Sequence, residues 1–230
     1  KSLDKFDKAD LISDYFSGIL HLNDNQYDES SKYFKKLNGL EKSHTNYSVK
    51  YLYSLINSGN FNYAFRYSIK LEKQNLDSFE SHLIAGIYYL KNSNLKLAQK
   101  YFLKAKNRST GSILNNYISD SLLNWSNLRN LDFDQSNTEL KKLDERFKNF
   151  KKIQNIFLNC FFNTSNTENL FMQITNDKRT DFSRYNFFYA SYLSSLGKLG
   201  EAKNHVKSAL VTYPRNLLLN QYNLDLKDKK

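Results

Sequence analysis

The chain has 230 residues, 34 Lys plus Arg against 23 Asp plus Glu for a net charge of +11, and 40% hydrophobic residues, with 17 Tyr and 17 Phe. That apolar content excludes a disordered chain, a single Cys excludes any intrachain disulfide, and one Pro with seven Gly leaves few helix breakers, so the chain is expected to be mostly helix. The abundance of Asn, Lys, Ile, Phe and Tyr is that of an AT-rich genome, which accounts for the lysine excess without invoking nucleic acid.

In chain order, Ile12, Tyr15, Phe16, Ile19, Leu20 and Leu22 recur at three- and four-residue steps and predict a helix over 9–23. Asn23-Asp24-Asn25 breaks it, and a second helix over 26–38 sets Tyr27, Ser30, Tyr33, Phe34 and Leu37 against the first. The pattern returns at 45–57 with 61–73 and at 79–92 with 95–107, the turns falling at Ser58-Gly59-Asn60 and Asn92-Ser93-Asn94. Ser30, Ala64 and Ala98 stand 34 residues apart in look-alike frames, and Lys-Leu-Gly-Glu-Ala at 198–202 restores the frame at Ala202. A fixed period of this length marks a helical repeat array. Gly18 and Gly86 share one place in their first helices, with Leu52 and Ala190 at the matching points; small residues there let paired helices approach closely.

From 112 to 176 the signal weakens. Helices are expected at 112–127 and 134–147, then at 149–163 and 167–176, with Asn163-Thr164-Ser165-Asn166-Thr167 as a capped turn. The lone Cys160 reads as a small hydrophobe among Ile156, Phe157 and Phe161. The last pair runs from Phe182 to Leu196 and from Leu199 to Thr212, stopped by Pro214. A closing helix, Asn216 to Leu226, is expected to turn Leu217, Leu218, Tyr222 and Leu226 to one side as a cap on the stack.

These frames resemble the tetratricopeptide repeat (TPR), the 34-residue helix-turn-helix family, on Gly18 with Tyr27, Ser30 and Phe34; Gly59 with Phe61, Ala64 and Leu71; Gly86 with Tyr89, Ala98, Phe102 and Ala105; and Gly197 with Ala202, Ala209 and Pro214. The whole chain also resembles uncharacterised TPR proteins of marine alphaproteobacteria with AT-rich genomes, on Arg184-Tyr185-Asn186-Phe187-Phe188 and Tyr213-Pro214-Arg215-Asn216. The expected architecture is all-α: a right-handed α-solenoid of about six TPR-like repeats plus a C-terminal capping helix, one domain over 1–230. The repeats fall at about 9–42, 43–76, 77–110, 111–148, 149–178 and 180–213, and the cap at 215–226.

The resemblance implies a concave groove lined by first helices. By position it would show Ile12, Tyr15, Ile19, Leu22 and Asn23, then Asn46, Val49, Tyr53, Ile56 and Asn57, then Leu83, Ile87, Leu90 and Lys91. Such a wall suits an amphipathic helix or apolar strand, with Asn23 and Asn57 available to ligand backbone; the alternative is that several of these side chains pack between repeats. Family members that clamp chaperone carboxy-termini use Lys, Asn and Arg where this chain has Tyr15, Ile19, Tyr53, Glu80 and Ile84, so no cationic cradle for a carboxylate is expected.

His21, His44, His82 and His205 are scattered, read as solvated or capping, and no phosphate loop, catalytic triad motif or paired-Cys motif appears. No cofactor, no metal and no enzymatic activity are expected. The basic doublets Lys35-Lys36, Lys141-Lys142 and Lys151-Lys152 read as a solvated outer face. The expected function is a scaffold for a protein or peptide partner; RNA or an anionic surface is the alternative, and the sequence argues against nucleic acid. No apolar run reaches the roughly 18–20 residues of a membrane span. A start at Lys1 without Met fits removal of an N-terminal signal, which leaves bacterial cytoplasm and periplasm both open. Partner identity and oligomeric state are not encoded in any motif.

Overall fold

A computed structural model describes residues 5–109, 111–177 and 180–228. Among these the secondary structure is helical throughout: α1 (Lys5–Asn23), α2 (Tyr27–Lys36), α3 (Thr45–Asn57), α4 (Phe61–Lys73), α5 (Phe79–Lys91), α6 (Leu95–Arg108), α7 (Ile113–Asn127), α8 (Phe133–Lys142), α9 (Lys148–Phe161), α10 (Thr167–Thr175), α11 (Tyr185–Ser195), α12 (Leu199–Thr212) and α13 (Leu217–Asp228), with 3-10 turns at Leu40–Lys42 and Glu145–Phe147. The fold is all-α and of the α-solenoid type. The chain gathers into two compact units, Lys1–Leu131 and Asp132–Lys230, dividing within the Leu128–Phe133 connection.

One turn chemistry recurs. Asn25, Gly59, Ser93, Asn163 and Gly197, each between the two helices of a hairpin, all have positive φ, from 51° to 77°. Asn25, Gly59 and Ser93 are spaced by the 34-residue period. An α-helix ending in one left-handed residue reverses sharply and satisfies its last carbonyls, as in Gln26 N–H to His21 O (2.8 Å), Asn60 to Leu55 O (2.8 Å) and Asn94 to Tyr89 O (2.9 Å). The α7–α8 connection has no such residue and Leu128 stays right-handed, which is why the repeat signal fades there. Left-handed backbone suits Gly and penalises Ser. Ser93→Gly is therefore expected to raise stability by about 0.5–1 kcal/mol in chemical denaturation, and a loss of stability would contradict this account of the turn.

The paired helices of each hairpin interlock through complementary sizes sixteen residues apart. Gly18 faces Phe34 and Gly86 faces Phe102, while the equivalent positions hold Leu52 with Ser68 and Ala190 with Val206. All of these but Gly18 and Gly86, which carry no side chain, are essentially inaccessible. A Cβ on Gly18 would sit 2.7 Å from the Phe34 ring, and one on Gly86 would sit 2.5 Å from Phe102 Cδ1. Ser30 Oγ, at the small-residue position of α2, donates to Gly18 O (2.8 Å).

Each unit has its own apolar core. In the first, Phe34, Leu37, Tyr47, Leu52, Leu55, Ala64, Tyr67, Leu71 and Ile84 cluster; in the second, Ile156, Phe171, Ile174, Phe182, Tyr189, Leu193, Val206, Tyr222 and Leu226 do.

Several local expectations change. The helix drawn over 134–147 stops at Lys142: Leu143 turns extended and buries its side chain, and Asp144 takes the Arg146 backbone N–H (2.9 Å) and its guanidinium (2.6 Å), folding a 3-10 turn instead. Arg146 holds the Asp144 carboxyl down to about 2. In α13, Asn216 Oδ1 caps the Leu219 N–H (3.2 Å), so the first turn points Leu217 and Leu218 outward. Leu219, Tyr222 and Leu226 are the buried face, not Leu217 and Leu218. Phe161, placed beside Cys160 in the core by the sequence, is exposed, and Cys160 is half-buried. Among the described residues no helix is long and apolar enough to cross a membrane.

Candidate functional site

The first helices of the leading unit, α1, α3 and α5, carry the residues expected to line a groove. They divide into two sets. Tyr15, Ile19 and Leu22 pack on the apolar core beneath them, Tyr15 lying 6.2 Å from Phe34 and 5.0 Å from His44 between ring centroids. Leu83 and Leu90 are likewise only partly accessible. In contrast Ile12 (59% exposed), Tyr53 (53%), Ile56 and Ile87 stand out into solvent, along with Asn23, Asn57 and Lys91. The fold therefore turns about half of the set inward as packing and leaves an aliphatic and aromatic remainder accessible.

Two polar details bear on what that remainder can do. Asn57 Nδ2 donates to Tyr53 O (2.8 Å), binding the last turn of α3 and leaving its Oδ1 to accept. Tyr53 meets Tyr27 edge to face at 6.0 Å, and desolvation first, then the Tyr53 hydroxyl, raises the Tyr27 phenol above its usual range. The Tyr27 hydroxyl therefore stays a neutral donor at physiological pH.

Side chains that the sequence reading passed over form a second pattern. Tyr33 with Lys36, Tyr67 with Lys70 and Tyr101 with Lys104 recur at the 34-residue period on α2, α4 and α6, each ammonium 4.7–5.5 Å from its own ring. Each lysine also reaches a carboxylate on an earlier element: Lys36 to Asp14 (3.1 Å), Lys70 to Glu41 (2.5 Å) and Lys104 to Glu72. Glu41 has no exposed side-chain surface. Burial pushes its carboxyl up, but Lys70 and the Gly39 N–H (2.8 Å) more than offset that and hold it below the ordinary carboxylate range. Glu72 is lowered in the same way by Lys104 and Tyr101 against its own burial. The signal was present as Tyr-x-x-Lys at a fixed period, but the acidic partners follow no period and could not be matched without the fold.

Two expectations about charged groups are corrected. His82 is neither solvated nor a cap: it is buried, with Nε2 2.9 Å from Asp77 Oδ2, and burial keeps it neutral by lowering its pKa despite Asp77. Asp77 lies five residues away in the loop before α5 and also binds Arg108 (2.8 Å). Lys151 is only 13% exposed and donates to Lys141 O (3.0 Å) and Leu143 O (2.8 Å), fastening the last carbonyls of α8, while also pairing with Glu145. Among the described residues no group of three His, Cys, Asp or Glu side chains is placed to hold a metal ion.

No protein-family model matches the sequence, and no curated protein matches it. Solved structures do. A chain of the APC/C hetero-tetramer Cut9–Hcn1 superposes with a TM-score of 0.60 at 13% identity over 94% of this chain and 42% of that one. The apo form of RapI superposes with a TM-score of 0.57 at 16% identity over 93% and 86%. YrrB, described as a TPR protein with an unusual peptide-binding site, gives 0.44 at 11% identity over 95% and 94%. The first two establish the helical-repeat fold, and this chain spans less than half the length of the first. The helical-repeat fold expected from the 34-residue frames is the fold that the chain has.

Proposed function

We propose that this protein is a non-catalytic scaffold that binds an apolar segment of a protein partner on the exposed first-helix surface of its leading unit. The observation that carries the reading is the exposure of Ile12, Tyr53, Ile56 and Ile87 on successive first helices whose inward faces already complete the core. Ile12 and Tyr53 keep more than half of their surface in solvent, and an aromatic among aliphatics is the composition of a protein-contact surface. A segment laid across them buries Tyr53 centrally, and Asn57 Oδ1 accepts from its backbone. In the Cut9–Hcn1 assembly a chain of like fold combines with other proteins, which agrees with this use of the fold.

The test is affinity capture by wild type and by Tyr53→Ala/Ile87→Ala, with the thermal midpoint of each measured so that capture is compared at a temperature where both are folded. The expected result is loss of at least about tenfold of the captured partner, the equivalent of about 1.4 kcal/mol. Unchanged capture removes the first-helix surface as the site. Tyr15→Ala is unsuitable because Tyr15 packs on Phe34.

A second reading rests on Lys32, Arg66 and Lys100, which share one place in α2, α4 and α6 and are all exposed. Such a column attracts RNA or an anionic surface. Affinity for a polyanion falls by about 10³ or more between 50 and 200 mM salt when six phosphates are neutralised, whereas an apolar contact hardly responds, so salt titration of the captured complex separates the two.

A further inference from the structure

The second unit contains a recess of about 350 Å³ between the end of α8 and the first turns of α9. Lys141 lines it from α8, and Lys148, Lys151 and Lys152 line it from α9, against one carboxylate, Glu145. Lys151 is fully engaged, donating to Lys141 O and Leu143 O and pairing with Glu145. Three exposed ammonium groups remain. Lys152 lies 3.7 Å from Asp177, at the outer limit of an ion pair, and Lys141 and Lys148 meet no carboxylate among the described residues.

The repeat sets this charge apart. Counted back from the left-handed turn residue, Asn163 here, the places of Lys148, Lys151 and Lys152 hold no Lys or Arg in α1, α3, α5 or α11; in α3 they are His44, Tyr47 and Ser48. A recess of similar size against α3, about 420 Å³, is balanced, with Asp28 and Glu29 beside Lys32 and Lys35. In α9 the lysines also oppose their own helix. Its first turn has no acidic residue and no side-chain cap, so ammonium groups gather where the backbone dipole is already positive, and Lys148 and Lys152 repel one another one turn apart. Such an arrangement costs stability until an anion neutralises it.

We infer that this recess binds a small phosphomonoester, with the phosphate among Lys141, Lys148 and Lys152 and the uncharged organic group in the recess adjoining it. A carboxylate would answer one of the three lysines, whereas a phosphate monoester brings about 1.5 to 2 negative charges and three acceptor oxygens at neutral pH. Lysine serves such a group as a point charge. The adjoining recess, about 110 Å³, shares Lys152 and Asn155 and continues between Ile156, Leu170, Gln173 and Ile174. It offers apolar walls and two amides to the alcohol or phenol part of the ligand. Asp177 also lines it, which disfavours a second anionic group there and suits the site to one phosphate instead of a strand of them. The site shares no residue with the Tyr53 surface and does not rest on that reading.

Phenyl phosphate is the probe, titrated into the full chain by calorimetry at constant ionic strength and at a temperature where every variant is folded. Saturable binding with a Kd below about 1 mM is expected, at least about tenfold tighter than for inorganic phosphate. Lys148→Gln/Lys152→Gln is expected to weaken it at least about tenfold, and Lys141→Gln, on the other wall, at least about threefold. Lys32→Gln/Lys35→Gln removes the same charge from the recess against α3 and is expected to change nothing. Absence of saturable binding up to about 5 mM overturns the proposal, as does undiminished binding by the Lys148/Lys152 and Lys141 variants or an equal loss in the Lys32/Lys35 variant. Inorganic phosphate binding as tightly as phenyl phosphate would leave the adjoining recess unused and overturn the assignment of a phosphomonoester. Tighter binding of a phosphotyrosine peptide than of phenyl phosphate would make the ligand a protein segment and overturn the small-molecule assignment.

Discussion

Phe102→Ala is expected to lower the stability of the leading unit by about 3–5 kcal/mol, the range for deleting a fully buried ring where the surroundings cannot collapse. The ring is 0% exposed and sits against the bare backbone of Gly86, so its removal leaves a void bordered by helix backbone that cannot move in without breaking the hairpin. Gly86→Leu alone is expected to be at least as harmful, because its Cβ already intrudes on the ring. The combination Gly86→Leu/Phe102→Ser reproduces the arrangement that Leu52 and Ser68 make in the preceding hairpin. It is therefore expected to recover a large part of what the two single changes lose, a coupling well outside the few tenths of a kcal/mol seen for independent sites. Denaturant titration of the four proteins measures this coupling. Additive losses would mean that the sixteen-residue complementarity is coincidental.

Lys70→Met should cost more than Glu41→Gln, although both break the same pair. Removing the lysine strands a carboxylate that has no exposed surface, whereas removing the carboxylate returns a partly exposed ammonium to water. Since Lys70 keeps 35% of its side-chain surface exposed, the loss is placed at about 1.5–3 kcal/mol, the range for a hydrogen bond to a charged group, below that for a fully enclosed ion pair. Glu41→Gln keeps an acceptor for the Gly39 N–H and is expected to cost less than about 1.5 kcal/mol.

The sign of the pH dependence distinguishes this from a simple packing loss. In the wild type the Glu41 carboxyl is lowered, so its contribution is present above the unfolded value of about 4.3 and disappears as pH falls through the folded value. In Lys70→Met only the backbone N–H bonds, among them that of Gly39, are left to oppose burial, so the carboxyl rises relative to the wild type and its penalty at neutral pH is relieved as pH falls. The gap in thermal midpoint between the two proteins should therefore narrow from pH 7 to pH 4. Glu72 and Asp77 are also lowered and weaken the fold in acid, but they do so in both proteins and cancel in the difference. A gap that stays constant over this range would show that Glu41 and Lys70 are not a working ion pair.

The sequence by itself determined the succession of helical hairpins. A 34-residue frame of apolar steps, with Gly, Asn or Ser where the backbone turns left-handed, is a local code: every term in it concerns residues within about one helix length of each other. It fixed α3, α4 and α12 to the residue, and it failed at 143–147, where Asp144 folds on Arg146 by a side-chain bond that periodicity does not register. The accessible part of the candidate surface was less legible. Tyr15 and Tyr53 read alike as first-helix aromatics, yet one seals the core and the other faces water, because exposure depends on which neighbouring helix covers a position. Only the tertiary structure decided that Glu41 meets Lys70, that Asp77 holds His82, and that Leu219 instead of Leu217 faces inward. Those pairings join residues brought together by stacking, and the energy that selects them is that of desolvating a charge or a ring against a specific neighbour, a quantity no single helix contains.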